Sequence, residues 1–288
     1  MSPESDGRAR ARQFRDTHHL GVQPLGDLVA VIEQSAEVDV AILDADPDEH
    51  GMAMRDPARG AVFIGVARSV NPMRQRSTLA HELGHVLFED WTDSATDNWS
   101  ERDSEEVRAD AFARYLLIPI EGLQEFLGAK ETVVQADLSA VVQRFLVSPA
   151  IAAIALHEAG YIDQPTKAEW MSLYTPHLAA RFGWSDQYRV LQADSDQRRA
   201  PQRLLARAIR GYAEGVLPAQ AIATLRGIPV EDAEADLRAA RIAPPEHPVM
   251  WADYTELPEV NVDVVALEAD LSAPDDEADS AAAERDAR

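Results

Sequence analysis

Apolar and polar positions along the chain change rhythm several times. From Pro24 to Ser35, PLGDLVAVIEQS spaces its apolar residues three and four apart, as a helix does. VDVAILDA, residues 38–45, then alternates apolar and polar positions, as a half-buried strand does. His50-Gly51 marks a turn before GMAMRD, and Pro57 to Gly60 marks another before AVFIGV. The pattern therefore predicts one helix and about three short strands. The short connections favour antiparallel hairpins. In TLAHELGHVLFED, residues 78–90, Leu79, Leu83, Val86 and Leu87 restore the helical period. SEEVRADAFARYLLIP, residues 104–119, adds a second helix with an apolar stripe of Ala109, Phe112, Ala113, Leu116 and Leu117.

After Pro119 almost everything reads as helix. Residues 138–162 read as helix, turn at Val147-Ser148, helix, and residues 218–242 repeat that shape. The fold class expected is α+β: a small antiparallel sheet with two buried helices, followed by a mainly helical region and an acidic, disordered tail. The divisions expected are a polar leader at 1–20, read as solvated with a basic helical turn of Arg8, Arg10, Arg12 and Arg15 as the alternative, an α+β domain at 21–130, a helical region at 131–250 and the tail at 251–288.

Composition narrows the class. With 288 residues the chain can build one large core or two modest ones. No apolar run reaches the 18 residues or so of a membrane helix. MSPESDGRARARQFRD has no apolar core of a secretory signal. There is no cysteine, which excludes disulfides, thiolate ligands and a cysteine nucleophile and fits a cytoplasmic location. A formal charge of −23 opposes duplex DNA and anionic membranes as partners.

The chemistry sits in His81-Glu82-Leu83-Gly84-His85, an H-E-x-x-H pattern on a predicted helix. Residues four apart share a face, so both imidazoles can converge on one metal ion. Glu82 projects about 100° round from His81, beside the metal rather than onto it. There it can hold a water at the metal and take its proton, as the general base of a metalloprotease does. Gly84 suggests close approach of a neighbouring backbone or of substrate. Two histidines leave a catalytic site one protein ligand short. Glu106 and Asp110, four apart beside an apolar stripe, supply the lack: Glu106 as the third ligand, Asp110 as an acceptor for a ligand histidine. Glu105 is the rival ligand on periodicity alone. Zinc suits this donor set, with manganese as the other candidate.

The run from VDVAILDA through GMAMRD, AVFIGVARSVNPMRQRSTLAHELGHVLF and EVRADAFARYLLIP resembles the ImmA/IrrE family of metallopeptidases over about residues 22–161. That family has a glutamate helix reading E-x-x-A-[ND]-x-F-A-x-x-L-L-x-P. Here it is Glu106, Ala109, Asp110, Phe112, Ala113, Leu116, Leu117 and Pro119, which favours Glu106 over Glu105. The Glu-x-x-x-Asp spacing is also similar to that of gluzincins. Ser77 departs from a common large apolar residue, and Tyr115 from a common polar one. The resemblance implies a zinc-dependent endopeptidase acting on a separate helix-turn-helix repressor, in a stress or mobile-element response. The other function expected is a non-catalytic anti-repressor that sequesters the same partner. Glu82 discriminates between them, because sequestration does not need it.

Several stretches remain. The strand AVFIGV is expected to offer an edge for an extended substrate. His50 at its turn, and the acidic loop 89–103 with Trp91 and Trp99, read as surface, with a substrate rim as the alternative. PAIAAIALHEAG has no Arg or Lys with which to read DNA. Arg199, Arg203, Arg207 and Arg210 form a basic stripe on a predicted helix over 197–212, a candidate site for a polyanion such as single-stranded nucleic acid. The acidic tail is expected to cover that stripe. No residue stands out as the stabiliser of an oxyanion.

Overall fold

The computed structural model describes residues 2–45, 51–91, 99–245 and 263–271, without the side chains of 99–103 and 269–271. The α+β class holds. Three strands, β1 (Asp39–Leu43), β2 (Met52–Arg55) and β3 (Val62–Ala67), form one sheet in the order β1-β3-β2. The expected antiparallel sheet is mixed instead: β2 pairs antiparallel with β3, but β1 pairs parallel with it. The short connections do reverse the chain at each step, up, down, up. The last strand then inserts between the first two, so the outer pair of matched directions becomes a parallel ladder. Val40 and Ile42 lie opposite Ile64 and Val66, and all four are buried. The β2–β3 hairpin is closed by Asp56, whose carboxylate accepts from Ala58 N at 2.8 Å, and by Gly60 at φ +68°.

Helix α2 (Leu28–Ser35) packs on β1, and α3 (Pro72–Phe88) packs on β3. Asn71 caps α3 by accepting from Arg74 N, and Pro72 supplies the fixed φ of a first turn. Helix α4 (Trp99–Leu117) lies along α3. Gly84 is where they touch: a Cβ there would sit 3.2 Å from Ala109 Cα and 3.3 Å from the Phe112 ring. The close approach foreseen at Gly84 is thus a neighbouring backbone.

The N-terminal segment is not a solvated leader. It forms α1 (Pro3–Thr17), packed lengthwise on α4. Its buried stripe is Gly7, Ala11 and Phe14, too small in volume to register as an amphipathic pattern. Gly7 is required there, since a Cβ would come within 2.3 Å of Arg108 O. Arg15 is buried and donates to the carbonyls of Leu116, Gly21 and Gln23. Burial lowers its pKa to about 10, and the carbonyls satisfy the guanidinium N–H groups that water would otherwise solvate.

Beyond α4 the chain is helical: α5 (Ile120–Leu127), α6 (Gln135–Phe145), α7 (Pro149–Glu158), α8 (Gln164–Met171), α9 (Thr175–Arg181), α10 (Ser185–Ser195), α11 (Gln202–Ala213), α12 (Ala219–Arg226) and α13 (Val230–Ala239). One buried core runs from Ala11 to Tyr188, and a smaller one joins Ala208, Ile222, Ala223, Ala233 and Leu237 of α11 to α13. Helices α6 and α7 meet at 110°, the angle of a helix-turn-helix. Ala152, Ala153, Ala155 and Leu156 of α7 are spent on the core. Among the described residues no single helix is long and apolar enough to cross a membrane.

Among the described residues, those up to 245 form one compact unit and 263–271 belong to a second. In the second, α14 (Val264–Leu271) is helical where disorder was expected. Asp263 accepts from Val265 N and Ala266 N at 3.1 Å and so starts it. The rest of the tail, and with it the expected cover over the arginine stripe, lies outside the described residues.

The stripe itself is broken. Pro201 disfavours helix at the residue before it, so α11 begins at Gln202 and leaves Arg199 outside. Arg199 instead exchanges backbone hydrogen bonds with Ile42 on the outer edge of β1 and pairs with Asp27 at 2.7 Å. Arg203 pairs with Asp39 at 2.8 Å. Internal carboxylates therefore take up half of the four expected charges.

Candidate metal centre

Helix α3 carries His81 and His85 four residues apart, and α4 brings Glu106 over them. One ligand atom from each lies within 4.8 Å of the other two. His81 Nε2 is 3.2 Å and His85 Nε2 is 3.7 Å from the Glu106 carboxylate. The rival Glu105 is turned towards Arg108, with 3.6 Å between the charged groups, and is not part of this group.

The far side of each imidazole decides what this group can hold. His81 Nδ1 lies 2.9 Å from Asp110, as expected for an acceptor behind a ligand. His85 Nδ1 lies 3.2 Å from Asp90, a residue the sequence did not single out. In the tautomer in which both Nδ1–H groups donate to these carboxylates, both Nε2 lone pairs face inward, and those two atoms are 3.0 Å apart. Two acceptors at that distance repel unless a proton or a cation lies between them. The pKa of His81 is raised: burial lowers it, but the hydrogen bond and charge of Asp110, with Glu106 and Glu82, outweigh burial. Asp110 is lowered mainly by its bond to His81, against burial. The donor set, two neutral imidazole nitrogens and a carboxylate, is the kind that holds a divalent ion with one position open.

Asp90 reaches His85 through an unusual helix end. Glu89 closes α3 in the left-handed region at φ 59°, normally a glycine position, and Asp90 N donates to His85 O at 3.0 Å. That turn folds Asp90 back under the last turn of the helix. Its carboxylate is almost wholly buried and is held by Arg108 as well. Asp90→Asn keeps the shape but weakens the anchor. It should lower metal affinity by roughly 10–100-fold, the usual cost of losing an outer hydrogen bond to a ligand histidine. Competition with a chromophoric chelator would measure this, and an unchanged affinity would make Asp90 a packing residue only.

Glu82 is nearly buried beside the start of β2. A Cβ added at Gly51 would stand 2.6 Å from Glu82 Cγ and 2.8 Å from its Oε1. Only glycine lets the strand approach the carboxylate this closely. Gly51→Ala should move Glu82 and reduce turnover by up to about 100-fold, with bound metal unchanged. Turnover at the wild-type rate would show that Glu82 sits elsewhere when it acts.

One sequence expectation about substrate contact changes. Strand β3 is central and offers no edge, while the outer edge of β1 is bridged by Arg199. The edge beside Glu82 is that of β2, where Met52 and Met54 are exposed. His50, residues 92–98 and the side chain of Trp99 lie outside the described residues; Trp91 is partly buried. The two departures from the family pattern have local partners: Ser77 Oγ donates to Met73 O, and Tyr115 OH donates to Glu158.

Residues 27–157 match the model of the family described as the IrrE N-terminal-like domain, Peptidase M78. The match spans α2 to α7 and takes in every site residue named above. No curated protein matches the chain.

Proposed function

We propose that this chain, which carries an IrrE N-terminal-like peptidase domain of the ImmA/IrrE family at residues 27–157, is a zinc-dependent endopeptidase that cleaves a helix-turn-helix transcriptional repressor. The observation that carries the reading is the convergence of His81, His85 and Glu106, with each histidine anchored from behind and a buried carboxylate, Glu82, next along the helix.

His81, His85 and Glu106 would hold the zinc. When bound, zinc supplies a Lewis acid that polarises the scissile carbonyl and makes water more acidic. Asp110 and Asp90 keep the two imidazoles in the tautomer that presents Nε2. Glu82 accepts the proton of the attacking water and delivers it to the leaving amine nitrogen. An extended peptide laid along the free edge of β2 has its backbone beside Glu82, which supports that edge as the docking strand. Substrate identity, a repressor in a stress or mobile-element response, rests on the family alone.

The test is to mix the zinc-loaded protein with helix-turn-helix repressors from its own genome and to look for discrete fragments by mass spectrometry. Fragments that vanish with a chelator support the proposal. An intact repressor held in a stable complex would mean sequestration instead.

A further inference from the structure

Behind the active helix lies a cavity of about 410 Å³, within the range of small-molecule sites. Pro72, Gln75, Arg76 and Leu79 of α3 line one wall. Their three- and four-residue spacing puts them on one face, roughly 150° round the helix from His81 and His85. The opposite wall comes from α10 and the segment after it, with Leu191, Asp194, Arg198 and Arg199.

The charge of this wall is unlike that of the chain. Arg76, Arg198 and Arg199 line it against Asp27 and Asp194, with Asp44 pairing Arg198 at 3.4 Å from outside the lining, so the wall is close to neutral in a protein of net −23. Asp27 is already bound by Arg199 through both oxygens, at 2.9 and 2.7 Å. Arg76 is held by the carbonyls of Leu25, Gly26 and Leu146 rather than by a carboxylate. Those bonds use three of its five N–H groups. Burial lowers its pKa to about 10, against the pull of Asp27. Arg76 is half-buried and held by carbonyls alone, so an anion brought into the cavity would give it the opposite charge it lacks. Leu146 and Leu191 supply apolar surface beside it.

We propose that this cavity is a binding site for a small organic anion with an apolar body, its charged group meeting Arg76 and Arg198 and its body lying against Leu146 and Leu191. The site is independent of the peptidase reading, because none of its lining residues belongs to the metal centre.

The probe is 8-anilino-1-naphthalenesulfonate, an anion with an apolar body, titrated by fluorescence into the full chain in the presence of a chelator. One saturable site per chain is expected. Arg198→Glu should weaken it by about tenfold or more, since a charge-assisted contact becomes a repulsion. The change breaks the pair of Arg198 with Asp44 at 3.4 Å, but both side chains are exposed, where such a pair is worth at most about 1 kcal/mol, so the fold should tolerate it. Leu191→Trp, which fills the cavity, should remove binding. The uncharged N-phenyl-1-naphthylamine should bind at least about tenfold more weakly than the sulfonate. Absence of a saturable site would overturn the proposal. So would wild-type affinity in whichever variant keeps a native circular dichroism spectrum, or equal binding of the uncharged dye.

Discussion

Glu82→Gln is expected to abolish peptide hydrolysis while leaving both metal and fold in place. The change removes a charge and a proton acceptor but keeps the volume and the one polar oxygen that packs against Gly51. Glu82 is not in the group of three that meets at the metal position, so metal content should stay at the wild-type level. General-base catalysis contributes roughly 10²–10⁴-fold, or about 3–5 kcal/mol of transition-state stabilisation. The rate should fall by that factor at saturating substrate. Fragment formation measured by mass spectrometry gives the rate, and metal analysis of the same sample gives the control. Cleavage at the wild-type rate would remove Glu82 from the mechanism. If the variant still relieves repression in cells as wild type does, the protein acts by sequestration.

Glu106→Ala should cost more metal affinity than any change behind the ligands. Loss of an outer hydrogen bond typically weakens binding by roughly 10–100-fold, and removing a ligating atom exceeds that range. It also leaves His81 Nε2 and His85 Nε2 facing each other at 3.0 Å without the carboxylate that neutralises a shared cation. Glu105→Ala provides the contrast. Its carboxylate lies near Arg108, outside the ligand group, so that variant should retain metal. Dialysis against a metal buffer followed by elemental analysis compares the two directly. Full occupancy in Glu106→Ala with loss in Glu105→Ala would exchange their roles.

Most of this centre was legible because it obeys helix periodicity. His81 and His85 are four apart on α3, Glu106 and Asp110 four apart on α4, and each pair is local in sequence. Asp90 was illegible for a local reason as well. It reaches His85 only because Glu89 takes a left-handed backbone that favours glycine, and no residue-type signal marks such a turn. The sheet was half legible. Alternation shows which side chains are buried but not which strand takes the middle, so the parallel β1–β3 ladder could not be read from VDVAILDA and AVFIGV. The helix at α1 was only an alternative, and its packing escaped because the contact stripe is Gly7, Ala11 and Phe14, where intimacy of backbones replaces bulk. The arginine stripe was over-read: Pro201, plainly visible, already disfavoured helix before it, so Arg199 could not align with the others.

The way α1 is fastened to α4 separates what is inherited from what must fold. The family match begins at residue 27, yet the wall behind the glutamate helix is built by Gly7, Ala11, Phe14 and Arg15. Arg15 ties that wall to Leu116 at the far end of the same helix. A fragment cut at the homology boundary would expose the back of α4 and strip Leu116 O of its donor. It would keep every ligand while losing the brace that fixes where one of them stands. The smallest piece that can fold around this site is therefore larger than the stretch that matches the family, and its additional part lies upstream.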